Sequence, residues 1–287
     1  MNVIWELDFY SRPILDERQK KRWEVLVCES PTSVDSEVES LFHYSQFCAN
    51  TEVNSVWLRN ALEAAIEKAP APPKKIRFFR RPMTNMIVKA CEELGIAAQP
   101  SRRTLALQQL LDTRMQTVYP QDPNYQADTS PSVKMADSIP QPLPDELLGE
   151  KWVFVTLPAG AFAEMPDWQI DFGDAFPLAM MEVEPETPIP GLIVFSSRAL
   201  PLAGWMSGAE LAFLKLGETP APRLLLESSA NDCWILSTLN DPQLQAEARR
   251  FEERKQAANG VHFLAVQVNP ETEAFAGFWL MREMEFG

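Results

Sequence analysis

The sequence predicts an α/β chain, α+β in its mixture of strand directions, built as two mixed β-sheet domains with packed helices. Residues 3–11, VIWELDFYS, and 22–29, RWEVLVCE, alternate apolar with polar side chains, as half-covered strands do. Helix-length stretches with caps and apolar stripes lie between such strands in both halves. Residues 120–144 carry six prolines among Ser, Asp and Gln, which reads as a linker or a long exposed crossover. These signals set an N-terminal domain at 1–119, a proline-rich connection at 120–150 and a C-terminal domain at 151–287.

On the first strand Trp5, Leu7 and Phe9 point one way and Glu6, Asp8 and Tyr10 the other, so one face is expected to be covered. Trp23, Val25 and Val27 repeat the pattern, and SLFHYSQFCA is a third strand. Asn54 caps a helix, SVWLRNALEAAIEKA, whose Trp57, Leu58, Ala61, Leu62, Ala65 and Ile66 form an apolar stripe. KKIRFFRRP is strand-like and ends at Pro82, which has no N–H to give a ladder. Thr84 or Asn85 caps a second helix that Gly95 stops, and a short strand near IAAQP precedes a third helix, RRTLALQQLLDTRM. Three strands, helix, strand, helix, strand, helix is the order of a ribonuclease-H-like sheet, an analogy of topology.

Strand signals resume with KWVFVTLPA, GLIVFSS, RLLLESS and CWILSTL. Asn240 or Asp241 caps a helix with Pro242 in its first turn, and Asn259-Gly260 stops it. Leu244, Ala248 and Phe251 share one face of that helix; VHFLAVQV and AFAGFWLM follow as strands.

Hydrophobic residues make up 46% of the 287 and aromatics 10%, enough for a core and against disorder of the whole chain. No stretch approaches the roughly 20 apolar residues that span a bilayer. The start, MNVIWELDFY, lacks the pattern of a secretory or organelle leader, so the chain is expected to stay where it is made. Cys28, Cys48, Cys91 and Cys233 show no C-x-x-C spacing and sit among apolar residues; they are expected to be small buried hydrophobes in a reducing cytosol. No metal site and no cofactor are predicted: there are only two histidines, only 11 glycines, and no phosphate-cradling motif.

The net charge of −14 is unevenly placed. Residues 1–120 hold 16 of the 26 basic and 15 of the 40 acidic side chains, so the rest of the chain is strongly acidic. Within 74–103 eight basic residues meet two acids, Glu92 and Glu93. Such a patch points to an anionic ligand for the first half, while the acidic half limits non-specific nucleic-acid binding and offers partner contacts.

On an extended KKIRFFRR, Lys75, Arg77, Phe79 and Arg81 share a face, and Ile76 and Phe78 enter the core from the other. A ring flanked by guanidinium groups suits single-stranded RNA: Phe79 stacks on a base, while Lys74, Lys75, Arg77, Arg80, Arg81, Lys89, Arg102 and Arg103 meet phosphates. The competing arrangement has helices over both faces, Phe79 in the core, and the arginines paired with Glu6, Asp8 or Glu24. Asp8 with Glu63 or Glu67 is a second candidate, the start of a two-metal nuclease site, but Arg80 and Arg81 stand where such a site wants acids. Glu227 in LLLESS lacks a lysine two residues on and reads as structural. The serines of LIVFSSRAL and LLESSAND have no nucleophile elbow. His43 and His262 read as core histidines. GFWLM, residues 277–281, is a buried strand or, alternatively, a docking patch.

WELDFYSRPILDERQKKRWEVLVCE, KKIRFFRRPMTNMI, QPSRRTLALQQLL, LESSANDCWILSTL and GFWLM together resemble the Tab2/Atab2 family of cyanobacteria and chloroplasts, over nearly the whole chain. The resemblance implies a non-catalytic factor that binds A/U-rich single-stranded RNA and promotes translation of photosystem reaction-centre messages, notably those of photosystem I. It implies translation or photosystem-assembly proteins as partners. The missing leader suits a cyanobacterial member acting in the cytosol, or peripherally at the thylakoid, whereas plastid relatives act in the stroma. Where the family pattern ends in Trp-Leu-Leu, this chain has Trp279, Leu280 and Met281, a change that keeps volume. The alternatives to RNA binding are a metal-dependent nuclease of ribonuclease-H-like fold and a protein-interaction scaffold. The residue assignments rest on the charge argument alone.

Overall fold

A computed structural model describes residues 3–127, 138–144 and 147–284. They fall into two compact units, one from the described parts of 1–30 and 39–134, the other from Pro31–Val38 with the described part of 135–285.

In the first unit β1 (Ile4–Leu15), β2 (Lys21–Glu29) and β3 (His43–Cys48) form an antiparallel meander. Helix α1 (Ser55–Lys68) then crosses to β4 (Lys75–Phe78), and α2 (Thr84–Glu92) crosses to β5 (Ala97–Pro100). Both strands run parallel to β1, giving the order β3-β2-β1-β4-β5, and α3 (Leu105–Thr117) returns over the sheet. Only β2 opposes the others, which is the ribonuclease-H-like arrangement the element order pointed to.

The caps explain where the helices begin. Asn54 Oδ1 accepts the Trp57 amide at 2.9 Å. Helix α2 differs from expectation: a 3₁₀ turn over Arg81–Met83 runs straight into it, so neither Thr84 nor Asn85 caps it. Gly95 ends that connection in the left-handed conformation, φ +71°.

Alternation on β1 divides the interior by chemistry. Trp5, Leu7 and Phe9 join Val25, Val27, Ile76 and Phe78 beneath α1 and α2, and Phe9 stacks on Trp57 at 5.4 Å. Fully burying each such side chain contributes about 1.5–3 kcal/mol. The sequence left the polar face between two arrangements, open to solvent or covered by a helix. That face is covered as well: Glu6 and Asp8 are 1% exposed, and the Leu107 amide of α3 donates to Glu6 Oε2 at 2.7 Å.

The proline-rich stretch is attached at both described ends. The Leu15 amide donates to Asn124 O, and the Gln126 amide to Pro13 O. Strand β6 (Gln141–Pro142) pairs with a strand of the second unit. Pro131 lies outside the described residues.

The second unit has a five-stranded sheet of order β7-β9-β13-β14-β8, from β7 (Lys151–Pro158), β8 (Ile170–Asp174), β9 (Pro188–Phe195), β13 (Val261–Gln267) and β14 (Phe275–Arg282). A four-stranded sheet of order β10-β11-β12-β6 adds β10 (Leu211–Gly217), β11 (Arg223–Ser228) and β12 (Asp232–Thr238). Helices α4 (Ala199–Gly208) and α5 (Pro242–Ala257) pack into one core with Leu192, Leu214, Leu226, Leu264 and Trp279. Asp241 caps α5 through the Gln243 amide, and Asn259 and Gly260 both end it at positive φ.

Candidate nucleic-acid interface

The basic run is divided by the strand that carries it. Strand β4 has four residues and spans about 13 Å. Lys74 and Lys75 sit at its entry beside the start of β1, while Arg81 lies past its exit. Because α2 runs back between parallel strands, Lys89 in its last turn lies toward the entry end. The Ser101 amide donates to Phe78 O at 2.8 Å, which sets residues 101–103 beside 78–81. Arg81, Arg102 and Arg103 thus gather where β4 and β5 end, the edge of a parallel sheet at which ligands commonly bind.

Exposure sorts the nine candidates further. Lys74, Arg81 and Lys89 are exposed, and Lys75, Arg102 and Arg103 are half-buried. Arg77, Phe79 and Arg80 are interior, at 4%, 4% and 9% exposure. That corrects the expectation of an open Phe79 flanked by cations. Phe79 lies past the end of β4, and the Arg80 guanidinium carbon stands 5.0 Å from its ring centroid and 4.0 Å from that of Tyr10. The stacking partner is the chain's own arginine.

Arg80 is held there by a carboxylate. Its Nε donates to Asp8 Oδ1 at 2.5 Å, while Asp8 Oδ2 accepts from Arg12 Nη1 at 2.8 Å. Arg12 Nε donates to Glu24 Oε2, also at 2.8 Å. Glu24 takes two further donors, the Tyr119 hydroxyl at 2.6 Å and Arg114. Beside them the Ser30 hydroxyl donates to Glu6 Oε1 at 2.7 Å, and Arg77 Nη1 lies 3.4 Å from Ser30 Oγ.

The register dictates this cluster. Asp8 and Arg12, four apart on β1, point to one face, and Glu24 is paired with Tyr10 between them. Tyr10 and Arg12 were open to detection from that alternation. Arg114 and Tyr119 were not, because they arrive on α3 and the turn after it.

Burial alone would raise the Asp8 pKa; the Arg12 and Arg80 guanidinium groups outweigh it and hold the carboxyl below its ordinary value. Burial likewise works against the Arg12 charge, and Asp8, Tyr119 and Glu24 more than offset it, so the Arg12 pKa is raised. Tyr119 is pushed up to about 12, by burial first and then by Glu24.

The nuclease candidates do not converge. Asp8 faces α3, whereas Glu63 and Glu67 are exposed on α1, which covers the opposite face of the sheet. Among the described residues no group of three or more His, Cys, Asp and Glu could hold a metal ion. Glu227 is buried against Lys215 of the neighbouring strand. All four cysteines are buried thiols; burial pushes Cys48 up to about 11 and Cys91 up to about 12. His262 is a core histidine, accepting the Leu214 amide at Nε2 at 2.8 Å. His43 is not: it is exposed at the start of β3. The GFWLM run is buried in β14, between β13 and β8, which removes it as a docking patch.

Comparison with known proteins matches the chain in two successive parts. A family model described as "RNA-binding protein Tab2/Atab2 N terminal" matches residues 4–114, and one described as "RNA-binding protein Tab2/Atab2, C-terminal domain" matches residues 130–282. A Zea mays protein named "Protein TAB2 homolog, chloroplastic" is 37% identical over 287 residues, covering 98% of this chain and 71% of that protein. An Arabidopsis thaliana protein of the same name is 37% identical over 286 residues, covering 98% and 74%. A chain of the simian T-cell lymphotropic virus intasome with PP2A regulatory subunit B56 gamma overlaps 44% of each chain at 17% identity and TM-score 0.29, too weak a likeness to bear on the fold.

Proposed function

We propose that this chain, which belongs to the Tab2/Atab2 family of RNA-binding proteins, binds A/U-rich single-stranded RNA without catalysis. In this reading it promotes translation of photosystem reaction-centre messages, those of photosystem I above all. The observation that carries the interface is the gathering of Arg81, Arg102 and Arg103 at the exit edge of β4 and β5. These side chains meet phosphates. One RNA strand laid along α2, about 13 Å long, also reaches Lys89 and then Lys74 and Lys75 at the entry end. Arg77, Phe79 and Arg80 support that surface from beneath.

The second unit and its acidic surface supply contacts to translation or photosystem-assembly proteins and discourage indiscriminate binding. No helix among the described residues is long and apolar enough to cross a membrane. We place the protein in the cyanobacterial cytosol and its plastid relatives in the chloroplast stroma. Titration against A/U-rich and G/C-rich single strands at two salt concentrations tests the reading. Tighter A/U-rich binding that weakens with salt is expected; equal affinity for both, or none, overturns it.

A further inference from the structure

We propose that the Glu6–Asp8–Glu24 face of the N-terminal sheet is a cation site that the protein fills with its own guanidinium groups, to the exclusion of divalent metal ions. The inference does not depend on RNA binding. A ribonuclease-H-like sheet that performs two-metal phosphoryl chemistry needs acids converging to hold cations roughly 3.5–4 Å apart. Three carboxylates stand on one sheet face, each at 1% exposure or less; the three do not form a metal-holding group, but Asp8 and Glu24 are close enough for one guanidinium, that of Arg12, to span them.

The oxygens are already taken. Asp8 Oδ1 accepts from Arg80 and Oδ2 from Arg12. Glu24 Oε2 accepts from Arg12 and the Tyr119 hydroxyl, and its Oε1 from Arg114. Glu6 Oε1 accepts from Ser30 and Oε2 from the Leu107 amide. Every one of these oxygens already accepts a hydrogen bond, and the Arg12 guanidinium bridges Asp8 to Glu24. A divalent ion placed there would also meet three guanidinium charges in a site of low dielectric, where like-charge repulsion is strong. The residues therefore do not fit the metals of a nuclease. They fit a rigid platform whose carboxylates are neutralised from within.

Manganese titration followed by electron paramagnetic resonance tests this. The wild type is expected to show no Mn²⁺ site that Asp8→Asn removes. Arg12→Gln with Arg80→Gln is expected to gain one site, at least about tenfold tighter than any on the wild type, and to lose it when Asp8→Asn is added. If that double variant does not fold, Arg80→Gln alone serves: Mn²⁺ should raise its Tm at matched ionic strength and leave the wild-type Tm unchanged. A wild-type site that depends on Asp8, or folded variants that take Mn²⁺ no better than wild type, overturns the proposal. No RNA enters the assay, so its outcome is separate from the RNA-binding reading.

Discussion

Arg80 lies over Phe79, the residue before it, with its guanidinium carbon 5.0 Å from the ring centroid. A cation at that distance interacts favourably with the ring face. The same guanidinium covers Tyr10 at 4.0 Å and is anchored by Asp8, and Phe79 itself is only 4% exposed, which leaves little of its ring for a base. Phe79→Ala should therefore act on stability, costing about 3–5 kcal/mol as large buried aromatics do. Urea denaturation measures it. RNA affinity, measured where the variant is folded, should match wild type. An affinity loss with unchanged stability would return Phe79 to the interface.

Asp8 holds two guanidinium groups, so its removal leaves both underneutralised. Asp8→Asn is expected to cost about 3–5 kcal/mol, the range for breaking a buried ion pair from one side. Its pH signature has a definite sign. A carboxyl whose folded pKa is depressed stabilises the fold above its unfolded value, here about 3.8, and loses that contribution as pH falls through the folded value. Wild-type stability should fall steeply below about pH 4. The variant, which cannot titrate at this position, should fall less. An equally steep acid limb in both would assign the titration to other acids.

The exit edge makes a prediction about salt. Arg81→Ala with Arg102→Ala and Arg103→Ala should lower RNA affinity and reduce the log–log salt slope by about 2, at roughly 0.7 for each phosphate of a single strand that is no longer neutralised. Arg80→Ala should instead lower the urea midpoint, because its guanidinium is committed to Asp8. A triple variant with the wild-type slope removes the edge from the binding surface.

The fold was legible where local chemistry and tertiary environment agree. Asn54, Asp241, Gly95 and Asn259-Gly260 act through their own backbone neighbourhood, and each marks a boundary as read. Helix α4 was not legible: Pro201, Gly204 and Gly208 interrupt its pattern, and Ala199, Leu202, Ala203 and Met206 are buried with little polar face to show a period. Strand β10 follows Glu210 at φ 54°, a turn no glycine announces. At the site, alternation places Glu6, Asp8, Tyr10 and Arg12 on one face, but alternation does not say what covers it. That depends on α3 crossing back over the sheet, which brings Arg114 and Tyr119 to Glu24 from 90 and 95 residues away. The basic run looked like one patch because sequence records spacing along a strand and not which end of it faces solvent.

Tyr119 reports on the same network from the alkaline side. Its hydroxyl donates to Glu24 Oε2 at 2.6 Å, and Arg114 Nε lies 3.3 Å from it. Burial and Glu24 push its pKa up to about 12, with Arg12 and Arg114 opposing. A tyrosine with a raised folded pKa contributes stability that is whole below its unfolded value, about 10, and is lost as pH rises toward about 12. Wild-type stability should therefore decline over that interval, with a late rise in tyrosinate absorbance. Tyr119→Phe should cost about 1.5–3 kcal/mol at neutral pH, the range for a hydrogen bond to a charged acceptor. It should also remove the late step and soften the alkaline decline. If the late step persists in Tyr119→Phe, another of the four tyrosines carries it, and Glu24 is not held by this hydroxyl in the way its 2.6 Å contact indicates.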